Sequence, residues 1–266
     1  MKIARGITPG YETVSCALHG ESPPTRLDGT LQGGFTDSGE PVEITSWLAP
    51  LDPVFIWAAG VNYRKHAAEM GRAAPEFPVF FAKAPNTLAG TGAVIQLPDG
   101  YCTSEKVDWE CELAIIIGKV AKNLTRANAL ECVLGYTCAN DVSARDWQIE
   151  HGGSQWLRGK SFDGFCPLGP CLVTADELPD PHNLSIRTRV NGETMQDGHT
   201  SDLIFDVPAL LEFLSADTTL LPGTVILTGT PSGVGMGHKP PVFLKDGDAV
   251  EVEIEGIGVL RNTFRR

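Results

Sequence analysis

Short apolar runs separated by glycine- and proline-rich breaks make up most of the chain, and the way each run repeats predicts its structure. Leu113 to Ile117 is apolar at every position, the pattern of a strand covered on both faces. Pro53 to Gly60 and Thr224 to Leu227 read as further buried strands, and Val133 to Ala139 is a run of apolar and small residues beside them. Leu184 to Arg189 alternates apolar and polar residues and is followed by Asn191-Gly192, a strong hairpin signal. The last stretch, GDAVEVEIEGIGVLRN, also alternates, which predicts a strand pair with Glu251, Glu253 and Glu255 on its solvent side. Helical spacing is strongest in Asp206 to Ser215, which has an aspartate cap and a first-turn proline. A short helix is predicted between a capping Asn62 and a terminating Gly71, and another in SARDWQIE. Residues 1–50 read as a small β-rich N-terminal region and 51–266 as the main domain, so the expected class is α+β, predominantly β.

Composition narrows the partners. The 266 residues carry a net charge of -12, which leaves nothing to neutralise the phosphates of a nucleic acid. An anionic substrate would need local positive charge, because the long-range field repels it. The seven cysteines are scattered and contain no CxxC, which fits reduced, buried thiols rather than disulfides or zinc. No apolar run reaches the ~18 residues of a membrane span, and the expected location is the cytoplasm.

The candidate chemistry centres on DWECELAIIIG. In an extended strand Glu110 and Glu112 share a face, and Asp141 follows the neighbouring apolar run. Three carboxylates without histidine or thiolate favour a hard divalent cation, Mg²⁺ before Mn²⁺ or Ca²⁺. The competing reading is a solvated strand face, with Asp141 capping a helix near Ser143. His66 and Glu69 are three apart on one helix, which suits a proton-accepting dyad or an ordinary surface pair. Lys83 follows an apolar run and reads as a strand-end charge or as a binder of a substrate carboxylate. Lys160 sits between glycines and aromatics, near a packed surface or in a solvated loop. Gly159-Lys160-Ser161 lacks the spaced upstream glycine of a phosphate loop, so nucleotide binding is not expected. The loop containing Gly229 and Thr230 reads either as an anion nest or as a tight turn.

Seven separated segments, GVNYRKHAAEMG, FFAK with TLAG, DWECELAIIIGK, GYTCANDVSARDWQ, GKSFDGFCPLGP, VNGE and ILTGTPSGVG, together resemble the C-terminal catalytic domain of the fumarylacetoacetate hydrolase family. The resemblance extends to its acylpyruvate hydrolase and 2-hydroxyhepta-2,4-diene-1,7-dioate isomerase types. It implies a mixed β-roll, usually a homodimer, with Mg²⁺ (sometimes Mn²⁺ or Ca²⁺) held by Glu110, Glu112 and Asp141. It also implies a lid carrying His66 and Glu69, a catalytic Lys160, and Lys83, Gln148, Gly229 and Thr230 as substrate-positioning groups. One departure, Ala84-Pro85-Asn86-Thr87 after Lys83, falls in the loop that borders the substrate. The implied activity is hydrolysis of the C–C bond of an acylpyruvate or related 2,4-diketo acid to pyruvate and a carboxylic acid. The alternative is decarboxylation or tautomerisation of oxaloacetate-like or hydroxymuconate-like acids. A third reading, a non-catalytic binding protein on the same fold, is opposed by the intact triad, dyad and lysine.

Overall fold

The structure is a computed structural model and describes residues 1–153 and 155–266. Its centre is the strand Cys111–Ile117, every residue of which is buried. Leu113, Ile115 and Ile117 enter one apolar cluster while Ala114 and Ile116 enter another on the opposite face. That alternation is why the run is apolar throughout: both faces of the strand are covered. Each fully buried isoleucine contributes roughly 1.5–3 kcal/mol by leaving water.

Two strands flank it in the large sheet. Val133–Asn140 runs antiparallel on one side, with Cys111 opposite Asn140, and Thr224–Leu227 runs antiparallel on the other, with Ala114 opposite Leu227. Beyond Thr224–Leu227 come Phe55–Gly60, parallel to it, and then Val79–Lys83. Beyond Val133–Asn140 comes Cys166–Thr174, which also pairs with the N-terminal strand Lys2–Ile7. The N-terminal strands therefore continue the main sheet by backbone hydrogen bonds, with Ile3, Ala17 and Leu27 in the same apolar cluster as Ala114 and Ile116.

A five-stranded sheet covers the other face in the order Glu193–His199, Ser185–Val190, Ala249–Ile254, Gly258–Arg265 and Val94–Gln96. Ile186, Val252, Ile254 and Leu260 from it pack with Leu113 and Ile115, together with Val207, Leu211 and Leu214 of the helix Val207–Ser215. Asp206 caps that helix by accepting from the Ala209 N–H at 3.0 Å, as expected. The Asn191-Gly192 turn joins its two strands with both residues at positive φ, 53° and 84°, as its sequence predicts. The mixed, predominantly β fold expected from the sequence is the fold observed, and its sheets stay open rather than closing into a barrel.

Two local expectations are corrected. The helix Arg64–Glu69 has Tyr63 at its N-cap with no side-chain bond. Asn62 instead donates to the Phe205 and Thr228 carbonyls and accepts from the Phe205 N–H, tying the base of the helix to two distant loops. Ser143–Ala144 forms a short strand against Val107–Asp108, so Asp141 caps no helix there. The helical turn starts later, at Asp146–Glu150, and is of the π type.

Candidate active site

Antiparallel pairing of two strands brings the acidic residues together. Asn140 sits opposite Cys111, and the Asp141 N–H donates to the Glu110 carbonyl at 2.8 Å, so Asp141 closes over the strand start that carries Glu110 and Glu112. One oxygen from each of the three carboxylates lies within 4.8 Å of the others, and all three residues are buried.

Cations fill part of the space between them. Lys160 Nζ lies 2.8 Å from Glu110 Oε2 and 2.7 Å from Asp141 Oδ2. Lys83 Nζ lies 2.5 Å from Asp141 Oδ1 and donates to the Val142 carbonyl at 3.3 Å. Arg145 reaches Glu110 Oε1 at 2.7 Å and Asp108 Oδ2 at 2.8 Å, and it donates to Gln148 Oε1 at 3.0 Å. Four buried carboxylates (Asp108, Glu110, Glu112, Asp141) thus meet three buried cations (Lys83, Arg145, Lys160).

Glu112 is the acid left over. Among the described residues no cation pairs with it, and it accepts only from the Gly229 N–H at 2.6 Å. Burial, then the charges of Asp141 and Glu110, push its carboxyl well above the ordinary range. Glu110 goes the other way: burial would raise it, but Lys160 and Arg145 outweigh burial and hold it down to about 2. Burial opposes the charge on Lys160 too, yet Asp141 and Glu110 raise its pKa above the usual lysine value and keep it an ammonium. An all-oxygen set with one carboxylate short of a counter-charge fits a divalent cation held by Glu110, Glu112 and Asp141.

A cavity of about 60 Å³ opens beside this cluster. His66, Glu110, Glu112, Arg145, Gln148, Lys160 and Thr230 line it. His66 Nδ1 lies 3.0 Å from Glu69 Oε2, and Glu69 Oε1 accepts from the Gly233 N–H at 2.9 Å. Burial favours the neutral Glu69, but the His66 ring and the Gly233 amide prevail and lower its carboxyl below the usual value. The dyad expected from i, i+3 spacing is therefore made, and it is anchored to the loop after Thr224–Leu227.

That loop is a row of backbone donors. Its N–H groups at Gly229, Gly233, Gly235 and Met236 serve Glu112, Glu69 and, for the last two, Asp108. The expected nest exists, but the anions in it are the protein's own carboxylates. Thr230 Oγ1 donates to the Cys111 carbonyl at 2.9 Å and accepts from Gln196 Nε2 at 2.8 Å, so its hydroxyl is engaged on both sides.

Of the residues expected to position substrate, Gln148 and Thr230 reach the cavity wall. Lys83 does not: its side chain is wholly buried and paired with Asp141. Gly229 also lies behind the wall, holding Glu112. Lys160 needs its glycine neighbour, because a Cβ on Gly159 would collide with the Gln148 backbone nitrogen. Asp108 and Arg145 were not singled out from the sequence. They stand 37 residues apart, and no local pattern announces a pair of that kind.

Residues 55–265 match the family model described as the C-terminal domain of fumarylacetoacetate (FAA) hydrolase. The chain belongs to the fumarylacetoacetate hydrolase family. Within that family, a Xenopus laevis protein named as a mitochondrial oxaloacetate tautomerase is 49% identical over 218 residues, covering 82% of this chain and 67% of that protein. A human protein of the same designation is 48% identical over 221 residues, covering 83% and 69%. Among solved structures, a 5-carboxymethyl-2-hydroxymuconate delta-isomerase from Mycobacterium smegmatis superposes with a TM-score of 0.85 at 40% identity over the full length of both chains. A fumarylacetoacetate hydrolase from Exiguobacterium antarcticum gives 0.87 at 40% identity, covering 100% of this chain and 99% of that one. No helix among the described residues is long and apolar enough to cross a membrane.

Proposed function

We propose that this family member is a Mg²⁺-dependent tautomerase of small 2-oxo acids of the oxaloacetate type. The observation that carries the reading is the buried Glu110–Glu112–Asp141 cluster with one carboxylate lacking a counter-charge, beside a cavity lined by a histidine and a lysine. The names of the relatives support tautomerisation or isomerisation over the hydrolysis implied first by the sequence motifs.

Bound to the three carboxylates, a divalent cation supplies Lewis acidity toward the keto and carboxylate oxygens of a 2-oxo acid. Conversion of enol to keto then requires a proton to leave the enol oxygen and a proton to reach the neighbouring carbon, and the reverse direction exchanges the two. His66 lines the cavity with Nδ1 engaged by Glu69, which leaves Nε2 to exchange that proton. Lys160 brings an ammonium to the wall where negative charge develops on the substrate oxygen. Arg145 fixes Glu110 and Gln148 and thereby the shape of the wall.

The test is the enol-to-keto conversion of oxaloacetate, followed by ultraviolet absorbance with Mg²⁺ and with a chelator. Acceleration that disappears on chelation supports the reading; a rate equal to buffer under both conditions defeats it. A second reading, hydrolysis of acylpyruvates, is favoured by the same His66–Glu69 pair, which is suited to activating water. Pyruvate release from acetylpyruvate measures it separately.

A further inference from the structure

We infer that Arg72 is a specificity-determining residue that binds the distal carboxylate of a 2-oxo dicarboxylate; the inference rests on the tautomerase reading and narrows its substrate. Four basic residues line the cavity: His66, Arg72, Arg145 and Lys160. His66 is held by Glu69, Arg145 by Asp108 and Glu110, and Lys160 by Glu110 and Asp141. Arg72 alone, among the described residues of that wall, forms no ion pair.

Its position is built rather than incidental. The lid helix Arg64–Glu69 ends in a Schellman cap: the Gly71 N–H donates to the Ala68 carbonyl at 3.0 Å, and the Arg72 N–H reaches back to the Ala67 carbonyl at 2.8 Å. Gly71 takes the left-handed φ of 63° that this cap requires. The reversal fixes the Arg72 backbone against the same short helix that carries His66. Arg72 is solvent-exposed, at the rim of the cavity, whose wall also includes Met70, Ile149, Trp156 and Met236, so its guanidinium is free to meet a carboxylate on an entering acid.

The charge balance gives that bond a purpose. A net charge of -12 repels a dianion, so a second carboxylate must be met locally. The three buried cations are committed to the protein's own acids, which leaves the Arg72 guanidinium for the end of the substrate remote from the keto group. A 2-oxo monoacid would not use it.

Oxaloacetate and its 4-methyl ester form the test, since they differ in the distal charge and one methyl group. Wild-type protein is expected to favour the diacid in kcat/KM by up to about fivefold, the span of one solvent-exposed ion pair. Arg72→Ala should bring the diacid down to the level of the ester, mainly through KM, and leave the ester unchanged. Arg72→Lys should restore part of the preference. Calorimetric binding of the two compounds to the Mg²⁺-loaded protein supplies a ratio independent of turnover. If neither compound is turned over, the tautomerase reading fails while the binding ratio still decides the role of Arg72. Equal losses on both compounds in Arg72→Ala, or a binding ratio that this substitution does not alter, would overturn the assignment.

Discussion

Lys83 Nζ lies 2.5 Å from Asp141 Oδ1, and both side chains are wholly buried. The lysine therefore acts as a fixed counter-charge inside the protein. Removing it leaves Asp141 with Lys160 alone in a dry environment, a change that costs up to about 3–5 kcal/mol. Lys83→Met is expected to lower unfolding stability by that amount in urea titrations. Lys106→Met, which breaks a pair with Glu150 at the surface, should cost at most ~1 kcal/mol. Similar losses for the two variants would show that burial adds nothing to the Lys83 pair.

Chelation and loading should move the melting temperature. A cation that binds only the folded state at one hundred times its Kd stabilises by about 2.7 kcal/mol. Adding Mg²⁺ after EDTA is expected to raise the melting temperature of the wild type. Asp141→Ala should abolish that rise along with metal-dependent activity. Glu112→Gln should also abolish it, while leaving the chelated protein at least as stable as wild type, because it removes the carboxylate without a cation. A rise that survives both substitutions would place the ion elsewhere.

His66→Ala removes the cavity-lining partner of Glu69. Loss of a positioned acid–base group typically slows a reaction by about 10²–10⁴-fold. We expect a loss of that size in oxaloacetate tautomerisation, and one at least as large in any cleavage of acetylpyruvate, with thermal stability almost unchanged. A variant with wild-type rates on both substrates would remove the dyad from the chemistry.

Acid should loosen the helix Arg64–Glu69. The Glu69 carboxyl titrates below its ordinary value of 4.5, since the bonds from His66 and Gly233 outweigh the effect of burial. A depressed carboxyl contributes stability in full above its unfolded pKa and loses it as the pH falls through the folded one. Amide exchange across Arg64–Gly71, corrected for intrinsic rates, is expected to accelerate below about pH 4.5. In Glu69→Gln the same segment should exchange faster at neutral pH and show no such acid step. An acid step of undiminished size in that variant would assign the loosening to another group.

How far the sequence foretold these features depended on how local their causes were. The strand Cys111–Ile117 was legible because cover on both faces forces an apolar residue at each step. The Asn191-Gly192 hairpin was legible because two positive φ angles in a row demand those residue types. Glu110, Glu112 and Asp141 were found because alternation and one neighbouring strand suffice to bring them together. Asn62 was misread as a cap because its three partners come from Phe205 and Thr228, more than 140 residues away. The pairing of Lys83 with Asp141, and of Asp108 with Arg145, was not legible for the same reason. Each is explained by a charge that only tertiary structure delivers.

The row of amides from Gly229 to Met236 carries a warning for mutational work. Its grip on Glu112, Glu69 and Asp108 belongs entirely to the main chain, so a truncated side chain in the segment, such as that of Thr230 or Val234, reports on its own packing and bonds and not on that grip. Replacing single amides by esters, which deletes one N–H and little else, is the perturbation that would reveal how firmly Glu69, Glu112 and Asp108 are fastened to a common rail.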